Sequence, residues 1–259
     1  MNITVFEPGD VSLSYYQPRF DGAGSISIKT PVTIGGGGGE DNSYTTLSAP
    51  ILTGSLYFDG SVNGSTATIN QWGGFNFETG PFTIEWWQYE AGENHGHVRP
   101  WYFGSYPTQS MGVSFEGGTF YLWAPNAFAI GSLGTYKNQW VHFAITRLNG
   151  QIKVFKNGTQ IGSTLSNTNY ISHTTDLTLG NEQSPSIGSQ FGGYMTNFHI
   201  MLAAKYTSNF TPNTSGPIPK TTKSILLLDC DDSGNATKDY TGINSGYTSN
   251  VTWNSAQPF

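Results

Sequence analysis

The stretch WVHFAITRLNGQIKVFKNGTQIG, Trp140 to Gly162, reads as three short strands joined by two tight turns. Asn149-Gly150 and Asn157-Gly158 each suit a two-residue hairpin loop, where both central residues need positive φ and Asn and Gly reach it at least cost. With such loops Ile145 falls opposite Val154, and Val154 opposite Ile161, so one row of branched apolar side chains crosses three strands. Val141 and Phe143 continue the row along the first strand, while Thr146, Lys153 and Gln160 fall on the other face. That alternation is expected of a half-buried antiparallel sheet.

Composition agrees with an all-β chain. Among 259 residues there are 33 glycines, 14% are aromatic and only 11% are charged, so helix formers are scarce and strand and turn formers plentiful. A net charge of -6 with 11 Lys and Arg leaves no basic stripe for nucleic acid and no cationic cluster for an anionic membrane. No apolar run approaches the roughly 20 residues of a membrane span. The start MNITVFEPGD lacks the basic and apolar regions of a signal peptide, so a soluble, unprocessed chain is expected. A single cysteine, Cys230, excludes an intramolecular disulfide and leaves stability to buried area.

Residues 1–50 differ from the rest of the chain. Ile3 and Val5 alternate with polar neighbours, YYQPRF places Tyr15, Tyr16, Arg19 and Phe20 together, and Ile26 to Ile34 alternates again before the glycines 35–39. Five glycines in a row cannot hold a strand and read as a hinge. The expectation is an N-terminal extended β arm with a linker over 1–50, docking through Tyr15, Tyr16, Arg19 and Phe20, and a sandwich domain over 51–259. Packing of the arm on the main domain as extra edge strands is the alternative. Beyond the arm, SLYFDGSVNGSTATI, GPFTIEWWQY, WYFGSY, MGVSFEGG and TFYLWA supply short strands at the turn-to-turn spacing of a sandwich or barrel.

The ordered set LYFDGS, FTIEWW, WVHFAITRLNGQIKVFKNGTQIG, LTLGN, FGGYMTNFHI, YTSNFTP and SILLLDC resembles the laminin-G-like, concanavalin-A-like lectin/glucanase superfamily from Ser55 to the C-terminus. GYMTNFHIMLAAKYTSNFTP with SILLLDC and the ending TWNSAQPF is similar to laminin-G-like modules of tailed-phage structural proteins, particularly from marine phages and cyanophages. The resemblance implies a two-sheet antiparallel jelly roll on a virion surface. Such modules usually carry Arg where His199 stands, so no role of that Arg transfers.

The residues raise three kinds of site. Catalysis in the glucanase manner needs two carboxylates about 5–5.5 Å apart, and the ExDxxE strand that the resemblance would demand is missing; Glu85 in TIEWW has no acid two or four residues away and reads as a residue at the sheet surface. No GxSxG or HExxH occurs. Asp229, Asp231 and Ser233 in DCDDSG place oxygens at alternate positions, the first half of a calcium loop, but Tyr240 stands where the closing Glu would be. An acidic turn at a strand end is the favoured reading there, with calcium as the only cofactor in view. His95 and His97 with Glu93 form a weaker metal candidate. For glycans, His95, His97, Arg99, Trp101, Tyr102 and Tyr106 gather aromatic and polar groups on one loop-rich run, although sandwich aromatics are mostly core.

The expected protein is therefore non-enzymatic: a virion surface protein, capsid decoration or head fibre before tail fibre, bound by its arm to other virion proteins such as the major capsid protein. A lectin-like module recognising host surface polysaccharide is the alternative, and a glycoside hydrolase relative a weaker one. A homotrimer is expected only by analogy with virion appendages.

Overall fold

The computed structural model describes residues 42–259 apart from 48–53, 62–64, 71–74, 92–96, 105–110, 125, 174 and 183–187. Tyr15, Tyr16, Arg19, Phe20, the glycine hinge, Glu93, His95 and Tyr106 lie outside the described residues. The first strands are Ser55–Asp59 (β1), Thr66–Asn70 (β2), Phe75–Glu78 (β3), Phe82–Glu90 (β4), His97–Phe103 (β5) and Met111–Glu116 (β6). Thr119–Trp123 (β7), Ala127–Ser132 (β8), Trp140–Leu148 (β9), Gln151–Lys156 (β10), Thr159–Ser166 (β11) and Ile171–His173 (β12) come next. Leu177–Leu179 (β13), Gly192–Met201 (β14), Ser224–Leu228 (β15), Ser245–Ser249 (β16) and Val251–Asn254 (β17) complete the set.

These strands form two large antiparallel sheets packed as a sandwich, with β3 and β12 paired separately. One runs β11-β10-β9-β4-β14-β1-β17, the other β16-β2-β13-β5-β6-β7-β8. The long β14 bends at a register shift between Thr196 and His199; its first half pairs with β1 and its second with β15. Asn197, inside that shift, takes a φ of 51°, the positive dihedral a bulge accommodates.

The central meander has the register its sequence predicts. Val154 is the partner of both Ile145 and Ile161. Asn149, Gly150, Asn157 and Gly158 have φ of 50°, 67°, 47° and 77°, as mirror-image hairpin turns require. Ile84 of β4 extends the row on the far side of Ile145. Trp86 marks where the sheets meet: it stacks on Phe143 and Phe198 of its own sheet and meets Trp101 of the other edge-on at 5.7 Å.

Two expectations fail because the outer face of the first sheet is not simply solvent. Thr146 is buried, and Glu85, expected at the sheet surface, is fully buried. The connection from β14 to β15 crosses this face: Thr83 Oγ1 donates to the Ala203 carbonyl at 2.8 Å, and Phe210 N–H donates to the Gly158 carbonyl at 2.9 Å. Residues 42–47 lie beside the same connection, with Thr46 bridged to Thr221 and Asn42 bonded to Ala204.

Candidate functional site

The outer face of the β11-to-β17 sheet divides into a covered half and a half-open half. Along β4 the inward row Phe82, Ile84 and Trp86 alternates with outward Thr83, Glu85, Trp87 and Tyr89. Under the crossover, Glu85 accepts from Lys205 Nζ at 2.7 Å, Tyr206 OH at 2.7 Å, His199 Nδ1 at 2.9 Å and His142 Nε2 at 3.3 Å. Burial alone would raise this carboxyl, but the Lys205 charge and the histidine hydrogen bonds outweigh it and hold Glu85 well below the usual carboxylate range. Burial lowers both His142 and His199, with Glu85 only partly offsetting it, so neutral rings donate to the carboxylate.

His199 Nε2 in turn meets Ser224 Oγ at 2.7 Å, and that hydroxyl accepts from the Thr221 amide at 2.8 Å. A Ser-His-Glu chain of this kind has the connectivity of a hydrolytic triad. Here, however, Ser224 is buried with its oxygen held between ring and amide, so the chain pins the crossover down. Tyr206 stacks flat on Phe210, which packs edge-on against Phe155 and His142. The ion cluster is thus a clamp roofed by aromatics.

Beyond the clamp the same face carries a different constellation. Tyr57 of β1 pairs in register with Tyr194 of β14, Tyr194 with Tyr89 of β4, and Tyr89 with Trp140 of β9. Successive ring centroids lie 5.1, 5.8 and 6.0 Å apart, and Trp140 is 6.3 Å from Tyr194. All four side chains are half-buried. Their polar tips make no hydrogen bond among the described residues, whereas Trp86, Trp123, Tyr206 and Trp253 all direct theirs into the protein. Thr252 stands opposite Tyr57 at one end of the row, and exposed Gln139 precedes Trp140 at the other. At strand spacings of about 4.8 Å the row is roughly 14 Å long. Such a row can take an extended ligand with apolar faces and hydrogen-bonding edges.

Of the glycan residues expected from sequence, His97, Arg99, Trp101 and Tyr102 are described, and they take different environments. Trp101 is in the core beneath Trp86, and Tyr102 is buried on the opposite face of β5 with the Arg99 guanidinium 5.6 Å from its ring centroid. Arg99 forms a buried ion pair with Glu182, and among these four described residues only His97 is exposed, 3.3 Å from Glu116. These residues satisfy the strand period of β5, so the Trp101 and Tyr102 rings are consumed by packing rather than display. Of the calcium-loop residues, Ser233 is exposed on a turn and Asp229 is fully buried. Burial, with the Asp231 charge adding to it, pushes Asp229 up to about 7. Among the described residues no three His, Cys, Asp or Glu side chains converge as metal ligands.

The clamp leaves one trace in the sequence: Glu85, His142 and His199 each stand between two apolar residues, in IEW, VHF and FHI. The ladder leaves another, since Tyr57, Tyr89, Trp140 and Tyr194 each have the parity opposite to the core row. Their meeting depends on pairing between β1, β14, β4 and β9, strands far apart in the chain.

The architecture has counterparts among solved structures. A candidate carbohydrate binding protein from Bacteroides ovatus superposes with a TM-score of 0.58 at 15% identity, covering 80% of this chain and 60% of that one, so the chain spans less than two thirds of its length. The heptameric SAP-like pentraxin of Limulus polyphemus gives 0.48 at 16% identity over 61% of this chain and 79% of its own, and the LG4-5 domains of mouse laminin α1 give 0.43 at 12% over 62% and 48%. No curated protein matches the sequence. Residues 63–205, more than half of the chain, match the laminin-G-type family model of this fold, and the chain belongs to the concanavalin A-like lectin/glucanases superfamily.

Proposed function

We propose that this chain is a non-enzymatic carbohydrate-binding protein that lays a polysaccharide across Tyr57, Tyr194, Tyr89 and Trp140. The observation carrying this reading is the ladder itself, four half-exposed rings in adjacent register whose donors are not used internally. A sugar ring has apolar C–H faces and a rim of hydroxyls, the chemistry that aromatic faces with polar tips complement. The fold shared with the Bacteroides ovatus candidate carbohydrate binding protein supports it. The non-enzymatic part rests on the acids of β4. Glycoside hydrolysis needs two carboxylates about 5–9.5 Å apart flanking an accessible bond, whereas Glu85 is enclosed by its donors and Glu90 is buried beside Lys137. Bacterial envelope polysaccharides on a glycan array, then titration of the double variant Tyr89→Ala/Trp140→Ala, test the site. Binding should fall by roughly tenfold or more with the melting temperature little changed; unchanged binding in the double variant would refute the ladder.

We further infer that the jelly roll is displayed on a phage particle as a capsid decoration or head fibre, with residues 1–50 docking on the major capsid protein. What supports this is the likeness of Gly193 to Pro212, Ser224 to Cys230 and the ending TWNSAQPF to phage structural modules, together with the glycine run 35–39. Removing Met1–Gly39 should leave a folded protein that no longer joins the particle. Normal incorporation of the truncated chain would refute the docking role.

A further inference from the structure

We infer that Trp87 is a fifth ring of the carbohydrate surface, held covered by residues 255–259, which compete with the glycan for it; this rests on the carbohydrate reading of the ladder. Trp87 lies on the outward row of β4 beside Tyr89, and it pairs in register with Thr196 and His142 where Tyr89 pairs with Tyr194 and Trp140. It thus stands in the next row over, between the ladder and the clamp. The ladder rings are half-buried, but Trp87 is 5% exposed. Its indole N–H makes no hydrogen bond among the described residues. A tryptophan buried for packing alone ordinarily sends this donor to a partner, as Trp86, Trp123 and Trp253 do. Trp87 instead shares the free donor of the ladder rings.

The cover is the segment that follows β17. Asn254 is paired with Ser55 at the edge of the sheet, and the Phe259 ring meets Trp87 edge-on at 5.7 Å. Between those points the chain crosses β1 and β14, a distance of about 14 Å at three strand spacings. Five extended residues reach about 17 Å, so the segment runs nearly straight across the sheet, alongside the ladder. Ala256, Pro258 and Phe259 are half-buried, while Ser255 and Gln257 are exposed. Its fastening is slight. The Ala256 amide donates to Asn254 Oδ1 at 2.9 Å, which ties the segment to its own strand, and residues 257–259 make no hydrogen bond among the described residues. The far end rests on Trp87 through a ring contact without a directional bond, and the apolar face of a sugar can replace such a contact. While the strap lies down, a glycan reaches four rings; once it is displaced, the surface gains a second row. The two arrangements exclude each other, so the strap lowers the apparent affinity by the fraction of chains in which Trp87 is uncovered.

The test compares the full chain, Phe259→Ala, Phe259→Tyr and a chain stopped after Asn254, the last with and without Trp87→Ala, each melted to confirm folding. Should Trp87→Ala melt well below the parent, Trp87→Leu fills the site without a ring and takes its place. Iodide quenching of tryptophan fluorescence should rise in Phe259→Ala and in the stopped chain, and the rise should vanish once Trp87 is replaced. On an array of bacterial envelope polysaccharides, followed by titration of the tightest binder, Phe259→Ala and the stopped chain should bind about threefold tighter or more. Phe259→Tyr keeps the cover and should match the parent, and replacing Trp87 in the stopped chain should cancel the gain. If Tyr89→Ala/Trp140→Ala abolishes binding yet the stopped chain binds no tighter than the parent, the ladder stands and the strap inference fails. If the gain survives replacement of Trp87, the segment is a wall beside the ladder and not a cover over Trp87, and the inference fails as well. If neither the parent nor the stopped chain binds any polysaccharide, the carbohydrate reading falls and takes this inference with it.

Discussion

A buried carboxylate is tolerable when cations and donors surround it, and Glu85 has both in Lys205, Tyr206, His142 and His199. Glu85→Gln keeps the volume but leaves the Lys205 ammonium without its counter-charge and one amide hydrogen facing donors. We expect a loss of about 3–5 kcal/mol in denaturant unfolding, the usual cost of removing one partner of a buried pair; a loss below about 1 kcal/mol would show that Glu85 does not hold the crossover. Glu90 behaves oppositely. Burial pushes it up to about 7 from 4.5, with Lys137 only partly opposing, and Tyr136 also feels its charge. The folded state therefore keeps a proton that the unfolded state releases, so this group's contribution is full below pH 4.5 and is lost as pH rises towards 7. Melting in EDTA across pH 5–8 should fall more steeply for the parent than for Glu90→Gln, and equal slopes would show that Glu90 is ionised throughout.

At the scale of elements, the two turns of the meander differ in what surrounds them. A methyl on Gly158 would run into the backbone carbonyl of Phe210, whereas one on Gly150 would meet the side-chain methyl of Thr168. Both glycines have positive φ, so each Ala variant carries the same local strain of about 1 kcal/mol. Gly158→Ala adds displacement of the Phe210 segment, because backbone cannot rotate aside as a side chain can. It should unfold at a clearly lower denaturant midpoint than Gly150→Ala, and matching midpoints would mean that the crossover does not press on this turn. The strands, the two turns and the Ile145, Val154, Ile161 row are all legible in the sequence because hairpins encode their own register. Parity also separates Trp101 from Tyr102, but it says only which face a side chain takes and not what covers that face. Glu85 therefore reads as a surface residue when it is not: the roof over it comes from Lys205, Tyr206 and Phe210, on a connection more than a hundred residues further along the chain.

For the molecule as a whole, pairing between strands far apart in the chain sets the length of the aromatic row proposed to bind carbohydrate. Tyr57 lies on β1 and Trp140 on β9, and the strands between them, β14 and β4, arrive from separate parts of the chain. The row exists only when this sheet is assembled. Because its rings span roughly 14 Å across the strands, a polysaccharide lying along it contacts them one after another. Affinity for a series of oligosaccharides of increasing length should therefore rise with each added sugar until the row is covered, and then level off. Removing an end ring shortens the row from that side, so Tyr57→Ala should bring the plateau at a shorter oligosaccharide and leave the shortest members of the series unaffected. Removing Tyr194, which touches Tyr57, Tyr89 and Trp140, should weaken every member. Calorimetric titration of the graded series against both variants distinguishes these patterns. A length-independent affinity, or identical losses for the end and central substitutions, would mean that the sugar enters a single pocket and does not lie along the sheet.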